Sequence, residues 1–96
     1  MGRSEPQTGT ALITGASEGI GRELARIFAS ERFDVVLVAR SREKIEALAD
    51  ELAAHHGVQA VAIAADLSGP DAPAELFRET RRRELHVDVL VNNAGV

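Results

Sequence analysis

A chain of 96 residues with 45% hydrophobic and 27% charged residues has the composition of one small globular domain, too rich in aliphatic side chains for a disordered segment. The net charge of −4 argues against nucleic-acid binding, and the absence of cysteine excludes disulfides and thiol chemistry. No apolar run approaches the roughly 20 residues that cross a bilayer, and the first residues lack the apolar core of a signal peptide. We therefore expect a cytoplasmic protein that does not bind membranes.

The chain alternates between strand and helix patterns. Residues 1–8 are polar, contain a proline and are expected to form a flexible arm before a single domain over residues 9–96. Short aliphatic runs of the kind found in strands covered on both faces predict strands over 10–14, 34–39, 60–64 and 87–92. Helices are predicted between them, over 19–31, 42–55 and 73–85.

Apolar spacing and capping residues support these helices. The first carries one apolar stripe at helical spacing, formed by Ile20, Leu24, Ile27 and Phe28. The second has a similar stripe, formed by Ile45, Leu48, Ala49 and Leu52. Ser41 is the expected N-cap of the second helix and Gly57 its end, while Asp71 is the expected cap of the third. In the third helix, Leu76 and Phe77 are expected to face inward.

Strand and helix in strict alternation predict an α/β fold with a parallel, doubly wound sheet. Right-handed crossovers give the strand order 3-2-1-4, a partial three-layer Rossmann-type half-domain that stops after the fourth strand. One face of the sheet then receives only the third helix. The fourth strand, with Val89, Leu90 and Val91, becomes an open apolar edge through which the chain is expected to self-associate.

A glycine-rich loop, Thr-Gly-Ala-Ser-Glu-Gly-Ile-Gly over residues 14–21, joins the first strand to the first helix. Gly15 suits a tight turn, Gly19 allows a bound group to approach the backbone, and Gly21 allows the helix to pack on the sheet. The start of the helix would direct unpaired N–H groups and the positive end of its dipole at a phosphate. The spacing fits neither the common dinucleotide pattern nor a P-loop, and a simple strand-to-helix turn is the alternative.

This loop and a second segment, Asn92-Asn93-Ala94-Gly95, resemble the two hallmark motifs of the short-chain dehydrogenase/reductase family. The resemblance covers nearly the whole chain. It implies hydride transfer between the nicotinamide of NADP and a carbonyl or alcohol carbon. The family's catalytic Ser, Tyr and Lys normally lie beyond the Asn-Asn-Ala-Gly segment, and this chain has no tyrosine. We therefore expect a cofactor-binding part with little or no turnover, which meets a small substrate only in a full-length form.

The resemblance assigns cofactor-binding roles to residues at the ends of all four strands. The pyrophosphate is expected over the glycine loop, at Gly15, Ser17, Glu18, Gly19, Ile20 and Gly21. Asp66 and Leu67 follow the third strand, where the family has an acidic residue that contacts the adenine amino group. Asn93, Ala94 and Gly95 are expected beside the adenosine ribose.

Each of the later positions also has a purely structural interpretation. Asp66 lies next to Ser68 and would serve equally to organise that loop. The two asparagines would form a turn in which their side chains bond their own backbone. His55 and His56 are adjacent, point different ways on a helix and are not expected to bind a metal.

Arg40 determines the expected choice between NADP and NAD. Sites for NAD normally carry an acid about 20 residues beyond the glycines, at the end of the second strand, and Arg40 occupies that place. A guanidinium fork pairs two oxygens of a 2′-phosphate, so NADP is favoured over NAD. Against this, Glu18 stands in the loop region where many NADP-preferring relatives have a basic residue, and Arg40 would alternatively pair with Glu18 or Glu43. Ser41 would add a hydroxyl contact or act only as a helix cap.

The sequence leaves one other function open and disfavours another. The chain would be a noncatalytic nucleotide-binding or interaction module if its open sheet edge paired with another chain. A Rossmann methyltransferase is disfavoured, because that class usually keeps an acid at the end of the second strand and lacks the Asn-Asn-Ala-Gly segment.

Overall fold

Four strands and three helices alternate along the part of the chain that the computed structural model describes, residues 8–93. They are β1 (Gly9–Thr14), α1 (Gly19–Ser30), β2 (Phe33–Ala39), α2 (Arg42–His56), β3 (Ala60–Ala64), α3 (Ala72–Arg82) and β4 (Val89–Val91). The arm expected over residues 1–8 lies outside the described residues except for Thr8, and so do Ala94 and Gly95. None of the three helices within residues 8–93 is long and apolar enough to cross a membrane.

The strands form one parallel sheet in the order β3-β2-β1-β4, which confirms the predicted α/β fold and topology. The last strand is shorter than predicted. Before it, the Asp88 N–H donates to the Thr10 carbonyl at 2.9 Å, but the Thr10 N–H donates to the Asp88 carboxylate, also at 2.9 Å. A side chain thus replaces the backbone acceptor that a longer strand would supply, so regular pairing starts at Val89.

Helices cover both faces of the sheet. Alternate strand residues such as Ala11 and Ile13 pack against α1 and α2 on one face. Leu12 and Val36 point to the other face, where Leu76 of α3 packs against them. Among residues 8–93, α3 is therefore the single helix on its face, as the strand order predicts.

Small side chains form the buried face of α1. The fully buried positions are Gly21, Ala25 and Ala29, which let the helix lie close to the sheet. The predicted apolar stripe is wrong in part, because Ile20 is 72% exposed and Ile27 is 55% exposed. A close approach leaves no room for isoleucine on the buried face, so the large side chains lie beside it.

The second helix matches its prediction. Its four predicted apolar residues are all buried. The Ser41 side chain accepts a hydrogen bond from the Lys44 N–H at 3.4 Å, and Gly57 ends the helix with a left-handed φ of 69°.

Three predictions for the third helix are wrong. Phe77 is 61% exposed, because Ala72, Leu76 and Thr80 form the inward face at four-residue spacing. Asp71 precedes the helix, but its side chain caps no N–H among the described residues. The helix also ends earlier than predicted, because Glu84 takes a left-handed φ of 58°.

Candidate functional site

An open cleft of about 610 Å³ lies at the carboxyl end of the sheet. Residues that end or follow the four strands line it: Gly15, Ser17 and Glu18; Ala39, Arg40, Ser41 and Lys44; Ala65, Asp66, Leu67 and Ser68; and Asn93. The carboxyl ends of parallel strands share one edge, so residues distant in sequence meet there. The cleft also spans β1, where the strand order reverses, which is the usual ligand position in open α/β sheets.

Most of the predicted site residues meet in this cleft. Seven of them line it: Gly15, Ser17, Glu18, Arg40, Asp66, Leu67 and Asn93. The other three described ones, Gly19, Ile20 and Gly21, form the first turn of α1 beside the cleft. Ala94 and Gly95 lie outside the described residues.

Gly21 brings the first helix into contact with the loop before it. A Cβ atom at this position would overlap the Gly15 carbonyl oxygen and lie 2.7 Å from Asn93 Nδ2. Asn93 Nδ2 also donates to the Gly15 carbonyl at 3.4 Å. The glycine loop, the start of α1 and the end of β4 are therefore held together at one point.

Thr14 fixes the end of β4 next to this point. Its buried hydroxyl oxygen accepts a hydrogen bond from the Asn93 N–H at 2.8 Å and lies 3.2 Å from Asn92 Oδ1. The described hydrogen bonds of the two asparagine side chains thus reach β1 and its loop, rather than their own backbone. Thr14 was not predicted as a site residue, although it is the first residue of the glycine-rich motif over residues 14–21.

The start of α1 is suited to an anion. Glu18 precedes the helix in an extended conformation, and its side chain caps no N–H of the first turn among the described residues. Gly19 has a φ of 63°, and no described atom beyond its chain neighbours and the adjoining helix backbone lies within 4 Å of the place that a Cβ would occupy. N–H groups without an intrahelical partner, together with the helix dipole, favour negative charge at such a terminus.

The cleft also contains a lysine that the sequence reasoning did not select. Lys44 Nζ lies 3.6 Å from Glu18 Oε2, so the helix that follows β2 contacts the loop that follows β1. Arg40 is exposed and makes no ion pair with Glu18 or Glu43 within the described part of the chain. Lys44 lies four residues after Arg40, in the first turn of α2. That position in the sequence was the available signal that a second cation would lie near Arg40.

Asp66 has the loop-organising role that the sequence allows, and it also lines the cleft. Its Oδ1 accepts a hydrogen bond from the Ser68 N–H at 3.0 Å, so it organises its own loop while it lines the cleft. Hydrogen bonds from Ser68 lower the pKa of the Asp66 carboxyl below its ordinary value, and the nearby positive charge of Arg40 lowers it further. Asp66 therefore presents a carboxylate to the cleft at neutral pH.

Known proteins similar to this chain are oxidoreductases of about three times its length. The oxidoreductase UcpA of Escherichia coli strain K12 is 45% identical over 87 residues, which cover 91% of this chain and 32% of UcpA. The 3-oxoacyl-[acyl-carrier-protein] reductase FabG of Staphylococcus epidermidis is 43% identical over 88 residues, covering 91% of this chain and 36% of FabG. The chain thus spans about a third of the length of these relatives.

Solved structures show the same similarity. The L-sorbose reductase of Gluconobacter frateurii, complexed with NADPH and L-sorbose, has a TM-score of 0.85 at 36% identity, covering 94% of this chain and 34% of the reductase. A short-chain dehydrogenase of Sphingobium yanoikuyae in complex with NADPH has a TM-score of 0.79 at 45% identity, covering 92% and 34%. The short chain dehydrogenase family model matches residues 9–96. By fold, by the loop at the switch point and by this match, the chain belongs to the short-chain dehydrogenase family.

Proposed function

We propose that this chain is the NADP-binding part of an oxidoreductase that transfers a hydride between the nicotinamide and a carbonyl or alcohol carbon. The bound cofactor would supply the hydride chemistry, while the residues described here would bind and orient it. Membership in a family that binds NAD(P) supports this function, as does a cleft at the switch point of the sheet.

The described residues fit a dinucleotide. The start of α1, free of a side-chain cap among the described residues, suits the pyrophosphate, with Gly15 and the residues from Ser17 to Gly21 around it. Asp66 and Leu67 would contact the adenine. Asn93, with Ala94 and Gly95, would lie beside the adenosine ribose.

Arg40 is the residue on which the proposed preference for NADP over NAD depends. It lines the cleft at the carboxyl end of β2, where an NAD site would carry an acid. Asp34, the acid of this strand, lies at the opposite end, is buried and accepts the Gln59 N–H at 2.8 Å. A guanidinium bound to a phosphate contributes about 1.5–3 kcal/mol. The solved structures of the L-sorbose reductase and of the Sphingobium yanoikuyae dehydrogenase are complexes with NADPH, which agrees with this choice.

Titration of the chain with NADPH and with NADH tests the proposal. We expect Arg40→Ala to weaken NADPH binding by about 10- to 100-fold and NADH binding far less, because only NADPH has a 2′-phosphate. Arg78→Ala is the matched control, since Arg78 is an exposed arginine of α3 that does not line the cleft. Equal losses for the two cofactors would remove Arg40 from the 2′-phosphate site.

Proton transfer is assigned to residues that this chain does not contain. The family resemblance gives that work to a tyrosine with a lysine and a serine, and the 96 residues include no tyrosine. We propose that a small carbonyl or alcohol substrate is converted only in a longer form that carries these residues.

An interaction module is the second candidate, because Leu90 on β4 is 57% exposed at the edge of the described sheet. Measurements of cofactor affinity and of self-association distinguish the two candidates. Affinity for NADPH supports the oxidoreductase whether or not the chain assembles, and assembly without affinity supports the interaction role.

A further inference from the structure

The charged side chains that line the cleft balance one another. Among the described lining residues, the cations are Arg40 and Lys44 and the anions are Glu18 and Asp66. Lys44 lies beside Glu18, and the charge of Arg40 acts on Asp66. A phosphate that enters the cleft must therefore compete with carboxylates that the chain itself supplies.

The contact between Lys44 and Glu18 is of the kind that exchanges easily. Its atoms are 3.6 Å apart, and the two side chains are 58% and 69% exposed. Exposed ion pairs at such distances contribute little to stability, because water screens them and both side chains lose freedom. A phosphate monoester carries a charge of about −1.5 to −2 near neutral pH and has three acceptor oxygens, so it attracts an ammonium more strongly than a single carboxylate does.

The geometry places Lys44 where such an exchange is useful. Arg40 directly follows β2, and Lys44 lies in the first turn of α2, so both cations line the cleft from these two consecutive elements. Glu18 belongs to the other side, at the start of α1. On the basis of the proposed NADP site, we propose that Lys44 leaves Glu18 and binds the 2′-phosphate together with Arg40. Glu18 thereby limits the preference for NADPH over NADH.

A double-mutant cycle on the 96-residue chain tests this exchange. Dissociation constants for NADPH and NADH are measured for the unchanged chain, Glu18→Gln, Lys44→Met and the double variant. Glu18→Gln is expected to raise the preference for NADPH about three- to fivefold, because Lys44 no longer has a competing partner. Lys44→Met is expected to lower that preference about five- to tenfold. In the Lys44→Met background, Glu18→Gln is expected to change the preference by less than about twofold.

Glu46→Gln is the matched control. Glu46 forms an exposed ion pair of similar length, 3.7 Å with Arg42, and does not line the cleft. Glu46→Gln removes the same charge from α2, the helix that carries Lys44, but outside the cleft, so it is expected to leave the ratio of the two dissociation constants unchanged.

Lys44 is the only lysine in the sequence, which permits a direct observation. Reductive methylation with a ¹³C label keeps its positive charge and gives one lysine side-chain signal besides that of the terminal amine. We expect NADPH to shift this signal and NADH to have little effect on it. In the Glu18→Gln variant without cofactor, we expect the signal to lie closer to its NADPH-bound position than in the unchanged chain.

The outcomes separate this proposal from the NADP site itself. An equal gain in affinity for NADPH and NADH in Glu18→Gln overturns the exchange, and so does a gain that persists in the Lys44→Met background. In either case Glu18 would only repel the diphosphate. Arg40-dependent NADPH binding with no change in Glu18→Gln also overturns the exchange and leaves the proposed function intact. Failure of the unchanged chain to bind NADPH overturns both.

Discussion

One hydrogen atom in place of a methyl group determines how the first loop packs. Gly21 faces the Gly15 backbone so closely that an added Cβ would overlap the carbonyl oxygen and lie 2.8 Å from the carbonyl carbon. Backbone atoms cannot rotate away as a flexible side chain can. The same contact positions Asn93, so a change at this residue disturbs both the fold and the cleft.

We expect Gly21→Ala to destabilise the chain despite its position in a helix. Alanine gains about 1 kcal/mol of helix propensity over glycine, but overpacking against a fixed backbone costs about 1–3 kcal/mol. Urea unfolding followed by circular dichroism measures the net loss. Gly69→Ala is the control, since no described atom beyond its two chain neighbours lies within 4 Å of its Cβ position, and its effect is expected to stay within about 0.5 kcal/mol. A Gly21→Ala variant as stable as this control would contradict the close contact.

At the scale of elements, an ion pair links the two helices that share one face of the sheet. Arg26 of α1 donates from Nε to Glu51 Oε2 of α2 at 3.1 Å and from Nη2 to Oε1 at 3.4 Å. The hydrogen bond from Arg26 lowers the pKa of the Glu51 carboxyl below its ordinary value of 4.5, and the positive charges of Arg26, His55 and Arg22 lower it further. This pair joins helices that are separate in sequence.

This pair makes the stability of the chain dependent on pH in a defined direction. Because the pKa of Glu51 is lower in the folded chain, its contribution is fully present above pH 4.5 and is lost as the pH falls through the folded value. Glu51→Gln is expected to lower the urea midpoint at pH 7, and the difference from the unchanged chain is expected to shrink below pH 4.5.

The control for this effect is Glu46→Gln, whose ion pair with Arg42 lies within one helix. It is expected to shift the midpoint less than Glu51→Gln does at pH 7, because it joins no separate elements. A difference between Glu51→Gln and the unchanged chain that stays constant from pH 7 to pH 3 would contradict the proposed linkage.

At the scale of the whole molecule, one face of the sheet is covered unevenly. Leu12 of β1 is 3% exposed beneath the layer of α3, while Leu90, its partner on β4, is 57% exposed. Among residues 8–93, β4 pairs on one side only. An apolar row therefore reaches an edge where backbone groups are available for pairing.

We expect the chain to self-associate through this edge and Leu90→Lys to weaken the association about 10- to 100-fold. Burial of a leucine side chain contributes about 1.5–3 kcal/mol, and a lysine on an edge strand also opposes pairing. Sedimentation velocity over a concentration series measures the association. Phe77→Lys, a matched change at an exposed apolar residue of α3, is expected to have no effect. A chain that stays monomeric at all concentrations, or equal effects of both variants, would contradict assembly through β4.

The fold was largely predictable because its signals are local. Short aliphatic runs marked the strands, and the Ser41 cap and the left-handed Gly57 limited α2 within one residue. The order β3-β2-β1-β4 followed from alternation and crossover handedness, so it needed no knowledge of side-chain packing. Glycines and the residues after each strand likewise indicated where the cleft would form.

What the sequence did not determine were contacts between separate elements. Apolar spacing could not show that Ile20 and Phe77 face solvent, because burial depends on how closely each helix approaches the sheet. Lys44 was missed because its partner, Glu18, is distant in sequence and becomes its neighbour only when β1 and β2 end at the same edge. Local patterns thus specify elements and their order, whereas the positions of charges relative to one another are decided when the sheet brings those elements together.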